Sequence, residues 1–202
     1  MKYFFKFLLL FLFVSLISCS GKKEKEVIVE SIDLESQMIE AYSAGVKALE
    51  EGDVLFAAKN FNTVENIYPQ SIWAPRSVLM AAYSYYTQDY YGDAISELKR
   101  FLRNYPANDD AAYAHFLLAT CYYELIVDEK KDLSSISQSR KYFDLILSKY
   151  PNTDFALDAK FKLLLINNIL ASKELYLGKY YLSKKKWIPA MNRFKNVITD
   201  YE

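Results

Sequence analysis

Downstream of about residue 33, apolar positions recur every three or four residues in long blocks, and short polar turns break the blocks apart. This is the spacing of amphipathic helices. Tyr-Pro closes three of the blocks, at Tyr68-Pro69, Tyr105-Pro106 and Tyr150-Pro151. Eight residues before each Pro stand Phe61, Leu98 and Phe143, and twelve before it stand Ala57, Ala94 and Ser139. Upstream, Gly45, Ala82 and Ala119 lie 37 residues apart, and Tyr85 and Tyr122 follow the latter two by three positions. A fourth unit repeats the internal spacing with Gly178, Tyr181, Ala190 and Phe194, reaching Tyr201. A repeat of this length, mixing small and aromatic residues, implies helix pairs stacked in succession.

The pattern predicts a first pair over residues 34–50 and 54–68, with Gly52 ending one helix and Asp53 capping the next. A second pair is expected over 75–87 and 91–105, with Pro75 in a first helical turn. The third covers 110–126 and 137–150. Its connection is eight residues longer than that of the second pair and holds the polar stretch Asp128-Glu129-Lys130-Lys131-Asp132. That length reads as a surface insertion, tolerated or partner-contacting. Residues 154–183 stay helical without a break, leading to a last helix opened by Pro189. Together these make an all-α chain, a right-handed superhelix whose pairs resemble tetratricopeptide repeats. Small residues at Gly45, Ala82, Ala119 and Gly178 face Ala57, Ala94, Ser139 and Ala190 where two helices cross closely.

In the tetratricopeptide register the first helix of each pair lines a concave surface. Its groove-facing positions are Tyr42, Val46 and Leu49, then Leu79, Tyr83 and Tyr86, then Phe116, Thr120 and Tyr123. The aromatic members, Tyr42, Tyr83, Tyr86, Phe116 and Tyr123, form a candidate stripe for extended or helical peptide segments. The same spacing also suits packing under neighbouring elements, and both readings stay open at this point.

The front of the chain differs in kind. Lys2 and Lys6 accompany an apolar run over residues 7–17, far short of the roughly 20 residues of a spanning helix. Residues 1–18 read as a secretory signal peptide. The run ends in Leu16-Ile17-Ser18-Cys19, which resembles the cleavage box of bacterial lipoproteins. The resemblance implies a diacylglycerol on the Cys19 thiol, because only a thiol forms the thioether, and several acyl chains hold firmly where one does not. Ser20, in place of an Asp, implies the outer membrane, facing the periplasm. Residues 19–33 read as a flexible tether in which Glu24 and Glu26 offset Lys22, Lys23 and Lys25. The repeat domain then occupies 34–202.

Composition narrows the chemistry. The chain has 25 basic and 25 acidic residues, and without the signal peptide its charge is near −2. No nucleic-acid partner is indicated. With Cys19 lipidated, Cys121 is the remaining thiol and no internal disulfide can form. His115 is the single histidine, so a multi-His zinc site is unavailable, and no Gly-rich phosphate loop or nucleophile elbow occurs. The expectation is a non-enzymatic chain with no metal and no cofactor.

Several stretches resemble the outer-membrane assembly lipoprotein family BamD, also called ComL. They are Tyr68-Pro69-Gln70-Ser71-Ile72-Trp73-Ala74, Ala111-Ala112-Tyr113-Ala114 with Cys121-Tyr122-Tyr123-Glu124, and Lys173-Glu174 with Gly178-Lys179-Tyr180-Tyr181-Leu182 and Asn192-Arg193-Phe194. The resemblance implies a five-repeat periplasmic subunit of the β-barrel assembly machinery. Its partners would be BamA, other machinery subunits and unfolded β-barrel precursors. A different periplasmic repeat lipoprotein, serving envelope or peptidoglycan maintenance, is the alternative. The sequence departs from the family after Tyr201, where Glu202 replaces Pro and a fifth pair is not seen. This leads us to expect a truncated reading frame with an uncapped apolar face near Val197 and Ile198.

Overall fold

The computed structural model describes residues 23–126, 128 and 133–201, with side chains from residue 33 onward. Among the described residues all regular structure is helical. The helices are α1 (Lys23–Glu50), α2 (Val54–Ile67), α3 (Trp73–Tyr86), α4 (Tyr91–Asn104), α5 (Ala111–Glu124), α6 (Leu133–Lys149), α7 (Asp154–Ser183) and α8 (Trp187–Asp200). Each packs against the next in sequence, and α5 also touches α7. This succession is the stack of pairs that the repeat spacing implies.

Local chemistry sets the boundaries. Gly52 takes φ +81°, which favours glycine, and the Asp53 carboxylate accepts from the Phe56 N–H at 3.0 Å to start α2. Thr153 does the same for α7 through the Ala156 N–H at 3.3 Å. At the other ends, the N–H groups of Tyr68, Tyr105 and Tyr150 close on the carbonyls of Val64, Phe101 and Ile146 at 3.1, 2.8 and 2.9 Å. The following Pro can continue no helix, so each Tyr is a stop.

Some boundaries differ from the pattern-based expectation. Helix α1 begins at Lys23, well before residue 34, because the Lys- and Glu-rich stretch is made of good helix formers. Helix α3 begins at Trp73 and α8 at Trp187, so Pro75 and Pro189 each sit third in their helix, still within the turn where a missing N–H costs nothing. Helix α6 starts at Leu133, earlier than 137. The signal peptide, Cys19 and most of the expected insertion, residues 127 and 129–132, lie outside the described residues, as does Glu202.

The core follows the small-residue register. Ala57, Ala82, Ala94, Ala119 and Ser139 are fully buried. A Cβ added at Gly45 would stand 2.9 Å from the Phe61 ring, and one at Gly178 would stand 2.5 Å from Phe194. Both aromatics lie at the Leu98 and Phe143 position of their own units, so a large ring fills the space that the missing side chain leaves. In the third pair the Ser139 hydroxyl donates to the Ala119 carbonyl at 3.0 Å, satisfying a buried polar group at the crossing.

Successive pairs are also joined by a polar cluster. Glu65 on α2, only 7% exposed, accepts from Arg100 on α4 and from the Tyr105 hydroxyl at 2.8 Å, while Arg100 also reaches Glu97 and Asn62. Burial, followed by that bond to Glu65, lifts the Tyr105 hydroxyl to a pKa of about 12. Between α7 and α8, Arg193 bonds both oxygens of Glu174, at 3.0 and 3.1 Å.

Candidate peptide-binding groove

Helices α1, α3, α5 and α7 are the first helices of their pairs; α1, α3 and α5 carry the five candidate aromatic side chains, and two of these line cavities. Three of the five candidates make close ring contacts within the fold. Tyr42 is half-buried, edge-on to Phe61 at 5.4 Å and to Trp73 at 5.2 Å. Tyr86 is half-buried against Tyr91 at 6.0 Å, and burial, with the Glu124 carboxylate second, raises its hydroxyl pKa. Phe116 lies between Phe143 at 6.1 Å and Phe155 at 5.4 Å.

Tyr83 and Tyr123 stand differently. Tyr83 is 38% exposed and lines a cavity of about 560 Å³ with Arg76, Leu79, Met80, Asp110 and Tyr113. The cavity has an apolar floor from Leu79 and Met80, two phenol rings, a guanidinium and a carboxylate. Burial pushes the Tyr113 hydroxyl to about 12, so it stays a neutral donor across the physiological range. Tyr123 lines a second cavity, of about 300 Å³, with Leu165, Asn168, Ile169 and Ser172 of α7. The Lys162 ammonium sits 4.1 Å from the Tyr123 ring centre and 3.7 Å from the Glu124 carboxylate, clamping α7 to α5 at the cavity edge. Each cavity thus combines apolar surface with a few polar side chains.

Sequence reasoning named Leu79 but missed Arg76, Met80, Asp110 and Tyr113, and it missed the whole α7 contribution. A signal for the latter exists. Pro151 precedes α7 as Pro106 precedes α5, so Phe161, Leu165 and Asn168 occupy the positions of Phe116, Thr120 and Tyr123. In the same register Leu164 stands where Ala82 and Ala119 admit a second helix. It is 58% exposed, because α7 runs on unbroken and no paired helix returns over it.

The remaining candidate chemistry is packed away. Burial pushes the Cys121 thiol up to about 12, leaving it protonated and unreactive at neutral pH. His115 lies between the rings of Tyr142 at 6.2 Å and Tyr150 at 5.9 Å, and its Nδ1 has no partner. Burial, with Lys149 second, lowers its pKa. Among the described residues no cluster of three His, Cys, Asp or Glu side chains could hold a metal ion.

A family profile described as outer membrane lipoprotein, YfiO, matches residues 34–202, the span from the middle of α1 to the end of the chain. The chain belongs to that family. The YfiO-family chain is 36% identical over 189 residues to outer membrane protein assembly factor BamD of Caulobacter vibrioides, covering 93% of this chain and 61% of that protein. It is 36% identical over 184 residues to BamD of Rickettsia prowazekii, covering 91% and 71%. The chain therefore spans 61% of the length of its Caulobacter relative. Among solved structures it overlays the TPR2AB-domain:pHSP90-complex of yeast Sti1 with 16% identity and a TM-score of 0.49, over 81% of this chain and 64% of that one. It overlays MamA with 18% identity and a TM-score of 0.40, over 81% and 91%.

Proposed function

We propose that this chain is a non-enzymatic scaffold in the assembly of outer-membrane β-barrel proteins, held by lipid on Cys19 at the outer membrane and facing the periplasm. The observation that carries the reading is the family match across the whole helical stack, joined to relatives that are named outer membrane protein assembly factors. The groove suits the cargo. Segments of an unfolded barrel alternate apolar and polar side chains. Apolar ones fit the floors beside Tyr83 and Tyr123, while polar ones meet Arg76, Asp110 and Asn168 at the margins. In this reading Tyr42, Tyr86 and Phe116 hold the groove wall, and BamA docks elsewhere on the stack.

Two measurements test it. A photocrosslinker placed at Tyr83 is expected to capture barrel precursors in intact cells, and the detergent-solubilised protein is expected to bring down BamA. Recovery of cell-wall enzymes with neither BamA nor precursors would overturn the proposal.

A further inference from the structure

The hairpin tip where α7 turns into α8 departs from the charge balance of the rest of the chain. Residues 175–199 contain six Lys and Arg and no Asp or Glu, in a sequence that is neutral overall. Arg193 is engaged by Glu174. Lys179, Lys184, Lys185, Lys186 and Lys195 are exposed, and among the described residues none of them pairs with a carboxylate. Residues 22–26 differ, since Glu24 and Glu26 stand among their Lys residues.

The positive end of α8 adds to this charge. Its N-cap is Lys186, no side chain caps it, and its first turn has no acidic residue, although Asp or Glu is favoured at such a position. Around the lysines stand large apolar side chains in water: Tyr180, Leu182, Trp187 and Ile188, with the last two 64% and 70% exposed. The repeat register separates the lysines and Ile188 from the stacking face. Met191 and Ile198 occupy the positions of Ile95 and Leu102, and Leu182 and Trp187 those of Tyr86 and Tyr91, all of which join the core with α5, whereas Ile188 and the three lysines occupy those of Gly92 and of Gln88, Asp89 and Tyr90, all exposed. Ile188 and the lysines therefore stand at positions that helix stacking leaves open, and Trp187 borders them.

We propose that the α7–α8 tip docks on an anionic phospholipid surface, with Lys184, Lys185 and Lys186 at the headgroups and Trp187 and Ile188 inserted among the upper acyl carbons. Charge complementarity selects an anionic partner. The choice of a bilayer over an acidic polypeptide follows from the rest of the tip. An exposed Trp and aliphatic residue beside flexible, hydrated ammonium groups match the headgroup boundary, where Lys stems extend along apolar surface and keep their charge in water. The contact is a second membrane attachment, independent of the groove and of the lipid on Cys19.

The test uses the full chain with Trp73→Phe, which leaves Trp187 as the single tryptophan. It is mixed with vesicles of phosphatidylethanolamine and phosphatidylglycerol, or of phosphatidylcholine alone. Trp187 emission is expected to shift to the blue and to be quenched by acyl-brominated lipid in the anionic vesicles only, and the shift should fade with added salt. Replacing Lys184, Lys185 and Lys186 by Ser is expected to weaken the response at least about tenfold. Ile188→Asp is expected to abolish insertion while leaving the lysines in place. Equal emission in both vesicle types, or an unaltered response in both variants, overturns the proposal. The same shift on adding soluble polyglutamate also overturns it, assigning the tip to an acidic polypeptide. None of these readouts involves precursor or BamA binding, so their failure is distinct from failure of the groove.

Discussion

A Cβ at Gly178 would lie 2.5 Å from the Phe194 ring, closer than real Cβ contacts allow, so α7 and α8 cross here with no room for a side chain at residue 178. Gly178→Ala is expected to cost about 1–3 kcal/mol by overpacking. Gly92 has nothing within 4 Å of its notional Cβ, so Gly92→Ala is expected to be neutral or to stabilise by up to about 1 kcal/mol. Calorimetric melting of the two variants checks the contrast, and equal melting temperatures would show that the close approach is relieved by movement of α8.

Glu65 is the most buried carboxylate among the described residues, and Arg100 is its charge partner. Arg100→Ala strands that charge and is expected to cost about 3 kcal/mol. Arg193→Ala breaks a pair whose Arg side chain is 38% exposed, and is expected to cost below about 1 kcal/mol. Urea unfolding midpoints rank the two. A larger loss at Arg193 would contradict the burial argument.

Acidification acts through His115. Burial holds its folded-state pKa below the ordinary 6.5, so the unfolded chain takes up the proton first. The associated stability is fully present above about pH 6.5 and is lost as pH falls toward the lowered folded value. Denaturant titrations at pH 7.5 and pH 5 are expected to show a smaller loss for His115→Phe than for the parent. Parallel losses would mean that the ring between Tyr142 and Tyr150 is already open to water.

For the groove, Tyr83→Ala combined with Tyr123→Ala is expected to weaken capture of barrel-derived peptides about tenfold or more, since each removes an aromatic wall from a cavity. Unfolding by circular dichroism should stay cooperative, because Tyr83 is exposed and Tyr123 half-buried. Unchanged peptide binding in a folded double variant would remove the cavities from the mechanism.

Much of this architecture is legible in the residues. Tyr-Pro marks three helix ends because proline cannot continue a helix, and the small residues mark crossings because a ring fills the space opposite Gly45 and Gly178. The groove is only partly legible. Spacing places Tyr42, Tyr86 and Phe116 on the same helical face as Tyr83 and Tyr123, but only the fold shows the rings that press on the first three. The α7 wall is hidden because its repeat lacks the second helix, so Leu164 breaks the small-residue pattern and the alignment with α5 is lost to view. Helix starts at Lys23, Trp73 and Trp187 escape because the sequence there favours helix without a distinctive cap.

The unbroken α7 is a strut about 45 Å long, at roughly 1.5 Å per residue. Its near end is clamped to α5 by Lys162, its middle supplies Leu165, Asn168 and Ser172 to the smaller cavity, and its far end carries α8. A side chain wedged beside Tyr123 would therefore press on the midpoint of a stiff rod whose far end carries α8.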